Sequence, residues 1–206
     1  MQKLIIATGN AHKTGEFRRL LGDRFEVSDL SGVPAAELPV EDGASFVENA
    51  LIKARAAVTG FPGCHVLADD SGLEVDALAG APGIFSSRFA GADATDEENR
   101  RLLLHRLVIG RPDERPWTAR FRCALVLFDP GSTEPIIFEG SCEGQILDRE
   151  SGAGGFGYDP VFQPEGYGQS FGTLGEALKN TISHRARALQ KLLAHLASGR
   201  AGFPQA

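Results

Sequence analysis

"KLIIATGNAHKTGEF", residues 3–17, joins the pattern of a strand to the pattern of a helix. "KLIIA" (3–7) is a short apolar run closed by a turn, the pattern of a buried strand. Phe17, Leu20 and Leu21 then follow at the three- and four-residue steps of an amphipathic helix. Thr8, Gly9 and Asn10 fill the seam, and Lys13 falls one turn into the helix. A strand feeding straight into a helix opens an α/β unit, and the same alternation continues down the chain.

"RFEVSDL" (24–30) reads as a second strand and "SGVPAAELPVEDG" (31–43) as a loop rich in proline, glycine and acid. Ser45 and Glu48 form a capping box that opens a helix. Its expected buried stripe is Phe46, Ala50, Leu51, Ala54 and Val58, which leaves Glu48, Asn49 and Lys53 on other sides. "HVLA" (65–68) and "LEVDAL" (73–78) read as strands interrupted by "DDSG" (69–72). Thr95 and Glu98 box a further helix that is leucine-rich through Leu107 and stops at Gly110. "WTARFRCALVLF" (117–128) and "PIIFEGSCEG" (135–144) flank a turn and read as an antiparallel hairpin. A glycine-rich loop, "ESGAGGFGYDP" (150–160), precedes a capping box at Thr173 and Glu176. A last helix starts near Ser183, with Ala186, Leu189, Leu192, Leu193 and Leu196 toward the core, and "GRAGFPQA" (199–206) is expected to fray. Mixed strands and helices of this kind predict an α/β or α+β fold, a mixed sheet with helices packed against it.

Composition narrows the function classes. At 206 residues the chain can bury a real core, as one large domain or two small lobes. No apolar run approaches a membrane span, and the N-terminus lacks the pattern of a signal peptide. Cys64, Cys123 and Cys142 have no C-x-x-C spacing, and their odd number favours a reducing cytosol. A net charge of −6 argues against non-specific grip on nucleic acid. Arg111, Arg115, Arg120 and Arg122 cluster, but with Asp113 and Glu114 among them they read as a solvated or subunit-facing strand. An acidic chain that handles an anion must gather its positive charge in one place.

Four constellations carry possible chemistry. The Thr8–Asn10 turn would leave backbone N–H groups at the positive end of a helix, an anion site that Lys13 could reinforce. An ordinary capped helix with a solvated lysine fits the same residues. Asp69 and Asp70 adjoin an apolar strand, and in extended backbone their side chains point to opposite faces. Such acids suit a hard cation such as Mg²⁺, or else a turn held by Asp side chains; Glu41 and Asp42 add acids on a loop. "GAGGFG" (152–157) spells a dinucleotide fingerprint, but no strand precedes it and Pro160 blocks a following helix. It reads instead as a loop that lets backbone approach a flat ligand, with Phe156 or Tyr158 stacking on it, or as a plain loop over the core. Lys179, His184 and Arg185 place three donors near the start of the last helix, where basic groups are unfavourable without an anionic or carbonyl-rich partner. His12, His65, His105 and His195 show no metal-ligand spacing.

"ATGNAHKTGEF", "EDGASFVENALIKA", "LADDSGLEVDALAGAPGIFSSRFAG", "GGFGYDPVF" and "KNTISHRARAL" together resemble the signature blocks of the inosine triphosphate pyrophosphatase family. The blocks run in family order from residue 5 to residue 189. The resemblance implies a single domain over 1–206 with two lobes around a central cleft, built on a long curved mixed sheet with flanking helices. It implies a Mg²⁺-dependent hydrolase that cuts a nucleoside triphosphate between the α and β phosphates. The substrates would be ITP, dITP and XTP, and the enzyme a homodimer, which the cysteine usage above places in the cytoplasm. By matching motif, Thr8, Gly9, Asn10, Ala11, His12 and Lys13 bind the triphosphate. Glu41 and Asp70 bind the metal, and Asp70 accepts the proton of the attacking water. Ser71 lies beside the substrate, Phe156, Gly157, Tyr158 and Asp159 line the nucleoside pocket, and Lys179, His184 and Arg185 surround the base. A Maf-type nucleotide pyrophosphatase and a non-catalytic nucleotide sensor are the competing readings. The presence of both Glu41 and Asp70 argues against the sensor, which needs no general base.

Overall fold

The structure is a computed structural model and describes residues 2–32 and 39–197. Residues 33–38 of the expected acidic loop, and the expected frayed end at 199–206, lie outside the described residues. Strand β1 (Gln2–Ile6) leads through Thr8–Asn10 into helix α1 (Ala11–Leu21), and β2 (Phe25–Asp29) follows. Helix α2 (Phe46–Val58) precedes strand β3 (His65–Val75), and α3 (Asp96–Val108) precedes β4 (Trp117–Phe128) and β5 (Ile136–Ile146). Strand β6 (Phe162–Pro164) and helices α4 (Phe171–Leu174), α5 (Glu176–Ile182) and α6 (His184–Ala197) complete the chain.

The six strands form one mixed sheet in the order β2-β1-β3-β4-β5-β6. β1 pairs in parallel with both β2 and β3, whereas β5 and β6 pair antiparallel. The α/β class expected from residues 3–17 is the class observed. Two compact units divide the chain: residues 1–70, 123–140 and 186–206, and residues 71–122 and 141–185.

In the first unit the strand period of two sorts side chains onto two faces. Leu4, Ile6, Leu67 and Leu125 pack with Phe17 and Leu21 of α1 and with Ala188, Leu189 and Leu192 of α6. Ile5, Ala7, Val66, Ala68 and Val126 pack instead with Ala50, Ala54 and Ala57 of α2. Small residues on α2 let that helix lie close to the sheet. In the second unit, Leu73, Val75, Trp117, Ala119 and Phe121 pack with Leu103 and Leu107 of α3 and with Phe162 and Phe171. The intervening Arg120 leaves that core and pairs with Asp76 and Glu143, each at 2.9 Å, so the arginine cluster is partly internal ion pairing.

Three local expectations are corrected. β3 runs unbroken through "DDSG", so Asp69 and Asp70 are strand residues with no turn between them. The buried stripe of α2 includes Asn49 and Lys53, while Phe46, Leu51 and Val58 are only half-buried. Thr173 lies within α4, and Gly175 is the residue before α5, so the expected box at Thr173 and Glu176 does not form. The box at Thr95 and Glu98 is complete. At Ser45 only half of the box forms. Its hydroxyl accepts from the Glu48 N–H, but Glu48 reaches one residue further back, to the Ala44 N–H at 2.7 Å.

Candidate active site

In the first unit the register of β3 assigns each acid to a helix. Asp69 continues the face that Leu67 shares with α1, and its Oδ1 lies 2.6 Å from Lys13 Nζ. Asp70 continues the face that Val66 and Ala68 share with α2, and it meets Asn49 and Lys53 of that helix. Asn49 Nδ2 donates to Asp70 Oδ2 at 3.2 Å, and Asn49 Oδ1 accepts from the Gly43 N–H at 2.9 Å. Lys53 Nζ sits 3.2 Å from Asp70 Oδ1 and 3.1 Å from Glu41 Oε1. One ammonium therefore faces both carboxylates, which places Glu41 and Asp70 about a common point.

Electrostatics follow from burial. Asp70 is 6% exposed, and burial pushes its carboxyl above the ordinary value of 3.8; Lys53 and Lys13 oppose that rise while Glu41 and Asp69 add to it. Lys53 is equally buried. Desolvation alone would lower it, but Asp70, Asp69 and Glu41 outweigh that effect and hold the ammonium above 10.5. A pair of carboxylates that shares an ammonium offers hard oxygen ligands to a cation. Among the described residues no group of three or more His, Cys, Asp or Glu could hold a metal. Any cation here would complete its shell with water and substrate oxygen, as Mg²⁺ commonly does.

The Thr8–Lys13 corner is a well-capped helix start. The Thr8 hydroxyl accepts from the Asn10 N–H at 3.1 Å, and Asn10 Oδ1 accepts from the N–H groups of His12 and Lys13 at 2.9 and 3.2 Å. Gly9, Asn10, Ala11 and His12 are exposed. Lys13 is not the solvated side chain of the plainer reading, since Asp69 holds it.

The second unit carries the other candidates. Arg185 is 1% exposed, and its guanidinium donates to Ser71 Oγ at 2.9 Å. His184, at the start of α6, stacks on Phe121 with ring centroids 4.8 Å apart. Lys179 Nζ donates to Asp159 Oδ2 at 2.6 Å and lies 4.3 Å from the centre of the Phe156 ring. Asp159 Oδ2 also accepts from the Phe156 N–H at 2.9 Å. Gly155 makes that turn possible: its φ is +76°, and a Cβ there would collide with Asp159 Oδ2. Gly157 is held at both ends, by Asp96 Oδ2 on its N–H and by Arg100 on its carbonyl. Tyr158 belongs to the core and its hydroxyl donates to the Ser86 carbonyl at 2.8 Å, whereas Phe156 is half-buried. Burial raises the Tyr158 phenol well above its ordinary value.

Sequence reasoning missed Asn49 and Lys53. Their i, i+4 spacing on a face otherwise made of alanines was the available signal, because a polar pair on such a face needs buried partners.

Solved structures share this fold. A HAM1 protein of Coxiella burnetii superposes with a TM-score of 0.83 and 38% identity, covering 96% of this chain and 100% of that one. A nucleoside-triphosphatase / dITP/XTP pyrophosphatase of Mycobacterium abscessus superposes with a TM-score of 0.74 and 42% identity, over 93% and 99% of the two chains. The dITP/XTP pyrophosphatase of Halalkalibacterium halodurans is 45% identical over 93% of this chain and 97% of its own. The Ham1 family model matches residues 4–195, and the chain belongs to the Ham1 family.

Proposed function

We propose that the chain is a nucleoside triphosphate pyrophosphatase acting on dITP, XTP and ITP, releasing the nucleoside monophosphate and pyrophosphate. The observation that carries this reading is the convergence of Glu41 Oε1 and Asp70 Oδ1 on one buried cation, Lys53 Nζ. The names of full-length relatives at 45% identity support it independently.

Glu41 and Asp70 would hold Mg²⁺, which supplies charge to offset what develops on the phosphate oxygens. The triphosphate is assigned to the Thr8–Lys13 corner, where the α1 N-terminus and the Lys13 ammonium favour anions. Asp70 is the general base. A water oxygen forms its bond to phosphorus, the α–β bridging bond breaks, and the water proton passes to Asp70. Burial raises the basicity of that carboxylate above that of a free one. Ser71, Phe156, Gly157, Tyr158, Asp159, Lys179, His184 and Arg185 are assigned to the nucleoside. Lys179 and Arg185 carry ammonium and guanidinium donors of the kind that suit a 6-oxo oxygen. Adenine would set an amino donor against those donors, a mismatch worth roughly 10⁴ or more in discrimination.

The reading includes a cytoplasmic homodimer. No described helix is long and apolar enough to cross a membrane, and no disulfide joins Cys64, Cys123 and Cys142, as a reducing compartment favours. Asp70→Asn tests the assignment. It keeps the shape and the Asn49 and Lys53 neighbours but removes the base, so pyrophosphate release from ITP should fall by about 10² to 10⁴ with the fold retained. A folded variant with near-wild-type turnover would remove Asp70 from the reaction.

A further inference from the structure

Asp69, the neighbour of the general base, has no part in the chemistry above, yet it is as deliberately placed as Asp70. Its side chain is 0% exposed, on the opposite face of β3, and it brings no apolar surface to that core. A carboxylate so buried needs partners. Lys13 Nζ of α1 lies 2.6 Å from Oδ1, and the Cys123 thiol of β4 donates to Oδ2 at 3.6 Å. Three elements thus meet at this carboxylate. Lys13 itself is 15% exposed along its side chain, so the ammonium is held from below while part of the side chain reaches solvent.

We infer that Asp69 is a positioning residue that fixes the Lys13 ammonium for the phosphate chain. The inference rests on the proposed function and deepens it. A lysine has a flexible four-carbon stem, and a mobile ammonium gives up much of its binding energy in being ordered. Asp69 pairs with the ammonium and orders the stem before substrate arrives, and the ammonium's donors serve phosphate oxygens. The carboxylate is rigid because β3 pairs with β1 at Leu67 and because Cys123 anchors its second oxygen. Substrate contact belongs to Lys13, and Asp69 acts only through it.

The test is a double-mutant cycle on ITP hydrolysis, with pyrophosphate detection, across wild type, Asp69→Asn, Lys13→Ala and the pair. Thermal unfolding is measured on each protein, and binding of α,β-methylene ITP by calorimetry. Asp69→Asn and Lys13→Ala should each raise KM by about tenfold with a smaller change in kcat. The pair should be no worse than either single change, and the analogue should lose affinity in step with KM. If Asp69→Asn does not fold, Asp69→Ser removes the same charge with a smaller side chain and carries the same expectation. A folded Asp69 variant with wild-type KM, or an effect that multiplies with that of Lys13→Ala, overturns the inference. Wild-type protein that releases no pyrophosphate from ITP or XTP overturns instead the functional reading on which it rests.

Discussion

Lys53 shows how much one side chain can organise. It is buried, it touches Glu41 and Asp70 at about hydrogen-bond distance, and Asp69 also contributes to holding its charge. Removing one member of such a buried pair costs about 3–5 kcal/mol, because the other charge is left without compensation. Lys53→Met should therefore lower stability by about that amount in urea denaturation. The pH dependence has a definite sign. Lys53 has a folded value above its ordinary 10.5, so its stabilisation is fully present below 10.5 and is lost as pH rises through the folded value. Asp70 has a folded value above 3.8, so the native state binds that proton more tightly than the unfolded chain; its contribution is favourable at low pH and declines as pH rises through the folded value. Lys53 is a lowering influence on Asp70. Without it the Asp70 carboxyl rises further, and the acid limb of kcat/KM in Lys53→Met should move to higher pH. A limb that stays in place would separate Asp70 ionisation from the rate.

At the scale of elements, caps and register explain most of what forms. The reciprocal bonds of Thr95 and Glu98 start α3, and Thr95→Ala should cost about 1 kcal/mol in chemical denaturation. Combining it with Glu98→Ala should add little, since the two side chains serve one motif. That box, the strand at 117–128 and the core face of α6 were legible because each depends on neighbours in sequence. The other two boxes show the limit of the same signal. Glu48 prefers the Ala44 N–H, and Thr173 is already inside a helix and bonds toward Ser151 and Ser170. "DDSG" looked like a turn because acids, serine and glycine favour turns locally. It is strand because partners far along the chain, Lys13 and Lys53, take both carboxylates into the interior. The α2 stripe was misjudged for the same reason. Apolar periodicity sees Ala50 and Ala54, and it cannot see that Asn49 and Lys53 are buried by what they bind.

Across the whole molecule, a chain of net charge −6 buries several of its cations deliberately. Lys53, Lys179 and Arg185 are each almost wholly buried, and acids or hydroxyls brought in from elsewhere in the chain hold them. The sequence blocks that located these residues gave their order and types, while their pairings depend on the tertiary fold. The proposed activity is hydrolysis of deaminated purine nucleoside triphosphates to pyrophosphate. The most direct measurement is pyrophosphate release from ITP, dITP, XTP, ATP and GTP, each with Mg²⁺ and with EDTA. ITP, dITP and XTP should release pyrophosphate only with the metal, with ATP slower by roughly 10⁴ or more. Equal rates on ATP, release of orthophosphate in place of pyrophosphate, or turnover undiminished by EDTA would rule that activity out.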